Sequence, residues 1–286
     1  MLLIQNDIQL DAVVEDLLNQ KVIGIDTEFV RNNTYFAELC LVQISTLNNI
    51  YIIDPYLVKI AKLKDILLSR SISKVFHACS QDIKIFYKDL NLKTNNIFDT
   101  QESINFLGIK KQISYRDACL KILNKSIEKE QQFRNWNHRP LPFTMLEYAA
   151  QDVRYLITMQ EKLKTLMEEK KIYINFCNFM ESFSSDDFYK IKFDDMWKKV
   201  NTKDNSRSHL KKLKILAAVR EVWAIELNSP RSKIISDDNL NLIALHLPTN
   251  MKELYNSHII LNKFNHNMFT KLFELCSGIK ESHNLI

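Results

Sequence analysis

Glycine is nearly absent from this chain: only Gly24, Gly108 and Gly278 occur in 286 residues. A loop that cradles phosphate, or a dinucleotide-binding turn, needs several glycines within a few positions. Both are therefore excluded, no nucleotide cofactor is expected, and any phosphate chemistry must rest on side chains and metal ions. Cysteine is sparse and odd in number. Cys40, Cys79, Cys119, Cys177 and Cys276 are scattered, with no Cys-x-x-Cys pair. That argues against a disulfide framework or a zinc knuckle and suits a reducing cytoplasm. No stretch approaches the roughly 18 apolar residues that a membrane-spanning helix requires, so no membrane partner is expected. The opening MLLIQNDIQLDAVVEDL is acidic and has only four apolar residues at its start. It is not expected to be a secretory signal, and reads as a capped helix with Leu10, Val13, Val14 and Leu17 on one face.

What is present is ordinary in bulk and uneven in distribution. Hydrophobic residues make up 46% and charged residues 26%, as in folded globular proteins, and the length suits about two domains. Residues 1–189 carry 23 Lys+Arg against 24 Asp+Glu, whereas residues 190–286 carry 16 against 10. The basic surplus thus lies in the last third, where it either attracts a polyanion or forms a solvated lysine-rich surface.

The first half alternates short apolar, β-branched runs with helical stretches. KVIGID (21–26), LCLVQIS (39–45), IYIID (50–54) and KVFHA (74–78) predict strands, and IFDT (97–100) a short strand or loop. Helices are expected over 62–69, 81–90, 101–107 and 114–124. A strand meander followed by βα alternation implies an α/β fold, a mixed sheet with helices on its faces. Pro140 and Pro142 mark a loop before the next helix. Thr144 and Glu147 have capping-box spacing, so that helix is expected to start at Thr144 and run to about Leu166. The pattern divides the chain into residues 1–170, a helical connector 171–205, and an all-helical bundle 206–286 broken at 229–239 and 247–250.

Three short segments carry candidate chemistry. Asp26 and Glu28 close the first predicted strand two positions apart, so their carboxylates point to one side. Paired carboxylates suit hard cations such as Mg²⁺ or Mn²⁺, although a polar strand end facing solvent would read the same way. Asp82 follows KVFHA at a helix start, a place where an acid also simply favours the helix dipole. Tyr148 and Asp152 lie four apart on one helix face, separated by the small Ala149 and Ala150.

The order DTEF, HACSQD, YAAQD resembles the DEDD exonuclease superfamily in its tyrosine-containing branch. More closely, DTEFVRNNTYFAELCLVQIS, KVFHACSQDIKIF, FDTQ, NWNHRPL and YAAQDVRYL are similar to ribonuclease D over roughly residues 20–165. LAAVREVWAIELNSPRSKIISDDNLNLIA, with Asn228, Pro230 and Arg231 at its turn, resembles the helicase-and-RNase-D C-terminal (HRDC) domain, and there is room for only one.

The resemblance implies a ribonuclease H-like exonuclease domain and a 3′→5′ exoribonuclease that releases nucleoside 5′-monophosphates from RNA, with transfer RNA precursors as the family's substrate. It implies a monomer holding two divalent ions, Mg²⁺ or Mn²⁺. Asp26 would bridge them, Glu28 and Asp152 would hold the ion that activates water, Asp82 would help place the other, and Tyr148 would orient the water. Arg134, Trp136 and Arg139 are candidates for phosphate contact and base stacking, with Trp136 in the core and Arg139 in an ion pair as the other reading. Phe29 either wedges against terminal bases or fills the core, and His77 is expected to make a structural hydrogen bond. The competing readings are a DNA 3′→5′ exonuclease of the same superfamily and a non-catalytic RNA-binding derivative.

Overall fold

The computed structural model describes residues 1–127, 135–261 and 264–284, with side chains to Glu281. Contacts divide it into two units, one of residues 1–30 and 37–190, the other of residues 31–36 and 191–286.

In the first unit β1 (Leu2–Ile4) leads into α1 (Asp7–Leu18), which is capped by the Asn6 side chain and buries Leu10, Val13 and Leu17. β1 is a strand that the sequence reading missed, because three apolar residues beside an acidic amphipathic helix give no alternation to detect. β2 (Val22–Val30), β3 (Glu38–Ser45) and β4 (Ile50–Ile53) form an antiparallel meander. Then come α2 (Lys64–Leu68), β5 (Ser73–Phe76), α3 (Ser80–Leu90), β6 (Ile97–Asp99), α4 (Thr100–Phe106) and α5 (Tyr115–Ala118), the last running into a π-turn over Cys119–Leu123. The sheet order is β1-β4-β3-β2-β5-β6, with β1, β5 and β6 joined in parallel. This is the expected mixed α/β sheet.

β2 does not stop at Asp26, as the run of aliphatic residues suggested. It continues through Asp26, Glu28 and Phe29 to Val30 because β3 pairs with it along that whole length. Between Glu28 and Phe29 the register shifts, since Phe29 faces Leu39 while Glu28 faces Leu41. Cys40 is the extra residue of this bulge, and a bulge bends a strand and re-aims its side chains.

The helix expected from Thr144 to Leu166 is two helices, α6 (Phe143–Arg154) and α7 (Leu156–Glu169). Thr144 is not its cap: α6 starts at Phe143 after Pro142, with no side-chain cap. The break at Tyr155 is supplied from distant chain. The Ser45 hydroxyl donates to the Val153 carbonyl at 2.8 Å, and the Tyr155 N–H donates to the Tyr115 hydroxyl at 3.0 Å. α6 and α7 cover the sheet face to which Gly24, Asp26 and Glu28 point. At Gly24 the approach is close, for a Cβ there would lie 2.5 Å from Ser45 Oγ and 3.0 Å from Leu156 Cβ. Gly24→Ala is therefore expected to lower stability by roughly 1–3 kcal/mol through overpacking, read as a fall in the urea midpoint without a change of slope.

α8 (Tyr173–Glu181) and α9 (Asp186–Tyr189) follow, and Phe176, Met180 and Phe183 are buried in the first unit's core. The first half of the expected connector thus belongs to this unit, while Met196 and Val200 from its second half belong to the other core. The second unit is all helical: α10 (Arg207–Glu226), α11 (Arg231–Ile234), α12 (Asp237–His246), α13 (Met251–Asn256) and α14 (His266–Asn284). α11 is a short helix inside what the sequence presented as a break. Polar pairs order this unit's interior. Buried Arg220 donates to Asp237 at 2.7 Å and to the Ile235 carbonyl at 3.0 Å. Buried Glu221 accepts from Arg231 and from the Tyr35 hydroxyl. Residues 31–36 are part of this unit although they sit between β2 and β3 in sequence.

Candidate metal centre

Asp26 and Glu28 are alternate residues of β2 and so share a face. α6 lies over that face, its Met145, Leu146, Ala149 and Ala150 buried against Leu41 and Ile52 of β3 and β4. The small Ala149 and Ala150 let the helix sit close to the sheet and bring Asp152 down to the strand. Carboxylate oxygens of Asp26, Glu28 and Asp152 all lie within 4.8 Å of one another. One turn before Asp152, the Tyr148 hydroxyl donates a hydrogen bond to its carboxylate.

Asp82 joins from elsewhere. It sits in the first turn of α3, and Thr27, whose side chain points to the opposite face of β2, donates its hydroxyl to Asp82 Oδ1. The turn that carries it is unusual, since Ala78 has φ +62°. Asp99 at the end of β6 holds that turn, accepting from the Ala78 and Cys79 N–H groups at 3.1 and 2.7 Å, and from Gln101 and Glu102 at the start of α4. The sequence reading did not single out Asp99 or Thr27. Their signal was only the segments FDT and DTE, in which neither role is visible. His77 is structural, as expected, with both ring nitrogens engaged by Thr100 Oγ1 at 2.8 Å and the Ile113 carbonyl at 2.9 Å.

The electrostatics follow from crowding. Burial, then the charges of Asp82, Asp152 and Glu28, push the Asp26 carboxyl well above its usual range. Burial and then Asp152 and Asp82 push Glu28 up to about 9. Burial raises Asp82 and Asp152 to about 7, against the opposing hydrogen bonds from Thr27 and Tyr148. Burial and the neighbouring acids also raise Tyr148, so its hydroxyl keeps its proton at neutral pH. The charges that act on Asp26 and Glu28 are those of other acids, and such a cluster suits cations. All the donors are carboxylate oxygens, with neither thiolate nor free imidazole among them, which fits a hard divalent ion.

The expected substrate contacts fare differently. Arg139 is fully committed within the protein. Its Nε and Nη2 grip buried Asp54 at 2.6 and 2.9 Å, Nη1 donates to the Trp136 and His138 carbonyls, and Nη2 donates to the carbonyl of the bulged Cys40 at 2.8 Å. A guanidinium has five N–H donors, and all five are used, so the phosphate-contact reading of Arg139 is corrected to an ion pair. Trp136 is 6% exposed and packs beneath α6 with its ring 6.1 Å from that of Tyr148. Its face is not available to a base, and it braces Tyr148 instead. Phe29 is half-buried and packs on the core. Arg134 lies outside the described residues. Arg139→Ala would strand Asp54 in the interior, with an expected cost of about 3 kcal/mol. The check is chemical denaturation, and Arg139→Lys should recover only part because it cannot make the paired contact.

A family model described as 3′-5′ exonuclease matches residues 1–168, and an HRDC-domain model matches residues 209–274. The ribonuclease D of Granulibacter bethesdensis is 32% identical over 254 residues, which cover 88% of this chain and 64% of that protein. That of Jannaschia sp. is 30% identical over 259 residues, covering 88% and 67%. The chain thus spans about two-thirds or slightly less of the length of these relatives. Among solved structures, Escherichia coli RNase D superposes with a TM-score of 0.82 at 24% identity, covering 98% of this chain and 75% of that one. The catalytic core of RRP6 from Trypanosoma brucei gives 0.70 at 24% identity, covering 98% and 79%. At that identity the structures support the fold.

Proposed function

Since the chain belongs to the 3′-5′ exonuclease family, in its ribonuclease D branch, and carries an HRDC domain, we propose that it is a metal-dependent 3′→5′ exoribonuclease. The observation that carries this reading is the convergence of Asp26, Glu28 and Asp152 on one point with the Tyr148 hydroxyl bonded to Asp152. The reaction releases nucleoside 5′-monophosphates one at a time from a 3′ end. Asp26, Glu28, Asp82 and Asp152 would hold two divalent ions, Mg²⁺ or Mn²⁺, with Asp26 as the shared ligand, Glu28 and Asp152 serving the ion that activates water and Asp82 helping to place the other. When bound, they neutralise phosphoryl charge, lower the pKa of water and stabilise the leaving oxygen.

The chain's own residues do the positioning. Thr27 and Asp99 fix Asp82 at the edge of β2. Trp136 and the Arg139–Asp54 pair hold the loop before α6, and so set where Tyr148 stands. The Tyr148 hydroxyl orients a water through its oxygen lone pairs while donating to Asp152, positioning being its first role and proton acceptance its second. The substrate is RNA, with transfer RNA precursors as its expected class. The protein acts as a monomer in the cytoplasm, and the basic surplus after residue 189 aids RNA binding. Among the described residues no helix is long and apolar enough to cross a membrane.

The test uses the metal-stripped protein and 5′-labelled RNA carrying either a 3′ hydroxyl or a 3′ phosphate. Added Mg²⁺ or Mn²⁺ should yield a ladder shortening from the 3′ end, with the phosphate-blocked strand resistant. Full activity in excess chelator would sink the metal mechanism. Faster digestion of the matched DNA strand would favour the DNA exonuclease, and a protein that binds RNA but cuts nothing in metal would be the non-catalytic derivative.

A further inference from the structure

Gln43 is a core residue whose polarity the fold leaves unexplained. It sits in the middle of β3, between β2 and β4, and is 0% exposed. Neither its Oε1 nor its Nε2 has a hydrogen-bond partner in the protein. A buried carboxamide without partners destabilises a fold, and an apolar side chain of the same shape would not. Its neighbours on the same face of the sheet, Leu41 two residues before it and Ile52 across the ladder, are apolar and belong to the cluster that packs against Met145, Leu146, Ala149 and Ala150 of α6.

The register supplies the counterpart. Gln43 stands directly across the antiparallel ladder from Asp26, as Leu41 does from Glu28. Residues directly opposite in such a ladder point their side chains to the same face, with Cβ atoms roughly 4.5–5.5 Å apart. Gln43 therefore lies on the face of the acids, beside the residue assigned to both ions. A carboxylate that holds a cation is an acceptor only, and its free lone pairs need donors. Hydrogen bonds to metal ligands fix their orientation and raise their affinity.

We propose that Gln43 is a positioning residue of the metal centre, its Nε2 amide donating to the Asp26 carboxylate when that carboxylate holds an ion. The inference rests on the metal-centre reading above. Its amide oxygen then faces the other way and is free to accept from a hydroxyl or a water in the site.

The experiment measures Mn²⁺ binding by titration calorimetry, together with the Tm of the metal-free protein, for wild type, Gln43→Met and Gln43→Leu. Both variants should weaken Mn²⁺ binding by roughly 10–100-fold. The metal-free Tm should be unchanged or higher, because an unpaired amide has been removed from the core. In an Asp26→Asn background Gln43→Met should have no further effect on Kd, since the group it acts on has been altered. A merely structural glutamine behaves in the opposite way, with a lower metal-free Tm and an unchanged Kd, and that result overturns the proposal. Equal effects of Gln43→Met with and without Asp26→Asn also overturn it. A wild type that binds no Mn²⁺ would overturn the metal-centre reading itself, whereas a wild type that binds it alongside an unaffected Gln43→Met overturns this inference alone.

Discussion

Asp26→Asn is expected to abolish measurable exonuclease activity and, in the metal-free protein at pH 8, to raise the melting temperature. The loss follows from the role proposed for Asp26, the ligand shared by both ions, and from its place in the converging trio. A catalytic ion contributes several kcal/mol of charge stabilisation, so a weakened centre should cost roughly 10³-fold or more in kcat/KM. The gain in stability follows from the same crowding. The folded pKa values of Glu28, Asp82 and Asp152 lie at about 9, 7 and 7, above the unfolded values of roughly 4. Between about pH 4 and pH 9 these acids therefore hold more protons in the folded, metal-free protein than in the unfolded chain. The cluster's destabilising contribution grows as the pH rises through that window, and is absent below it. An amide at position 26 has nearly the shape of the acid and removes the carboxyl against which Asp82, Asp152 and Glu28 press. Saturating Mn²⁺ should reverse the order, because the wild type then gains the binding free energy of the ion and the variant gains less. Thermal melts of both proteins at pH 5 and pH 8, with and without metal, read all four corners. A metal-free Asp26→Asn that melts below wild type at pH 8 would show that the acid supports the fold rather than straining it.

How much of this was legible in the sequence depends on how far each partner lies along the chain. Asp26, Glu28, Asp82, Asp152 and Tyr148 stood out because each sits in a short segment with its own spacing, and the strands around them show as β-branched runs. The end of β2 was misplaced because polarity at Asp26 reads as a strand terminus, while the pairing that extends it comes from β3 across a bulge at Cys40. The break between α6 and α7 was invisible because Ser45 and Tyr115 make it, from more than 100 and 40 residues away respectively. Arg139 read equally well as a phosphate ligand and as an ion-pair partner. What decides between them is Asp54, 85 residues upstream, together with the carbonyl freed by the same bulge. Segment 31–36 follows β2 directly in sequence, yet Tyr35 belongs to the second unit through Glu221, 186 residues later. Local chemistry is written locally. Which donors remain free for a substrate is decided by contacts between distant residues.

Tyr148 and Asp152 share a helix face and a hydrogen bond, and their variants should fail in different ways. Asp152→Asn removes one of the three converging ligands, so metal is held weakly and part of the rate should return as Mn²⁺ is raised. Tyr148→Phe leaves every carboxylate in place. The phenylalanine ring keeps the support of Trp136 and of the α6 packing around Met145 and Leu146, so α6 should not move. What is lost is a protonated hydroxyl that donates to Asp152 and offers its oxygen to water. The defect should therefore appear in kcat, by roughly 10²–10⁴ for a group that positions the nucleophile, with RNA binding close to normal. The missing hydrogen bond also lifts Asp152 further from its carboxylate form, so the variant should need somewhat more metal or a higher pH to saturate. Saturating metal should restore that small part and not the main loss. A pH–rate profile adds a second discriminator. With a tyrosine that stays protonated, Tyr148→Phe should lower the whole profile without deleting a limb, whereas a tyrosine acting as the base would take its limb with it. Single-turnover kinetics at saturating Mn²⁺ decide the matter, for a Tyr148→Phe protein with near-wild-type kcat would leave the hydroxyl a structural partner of Asp152 and nothing more.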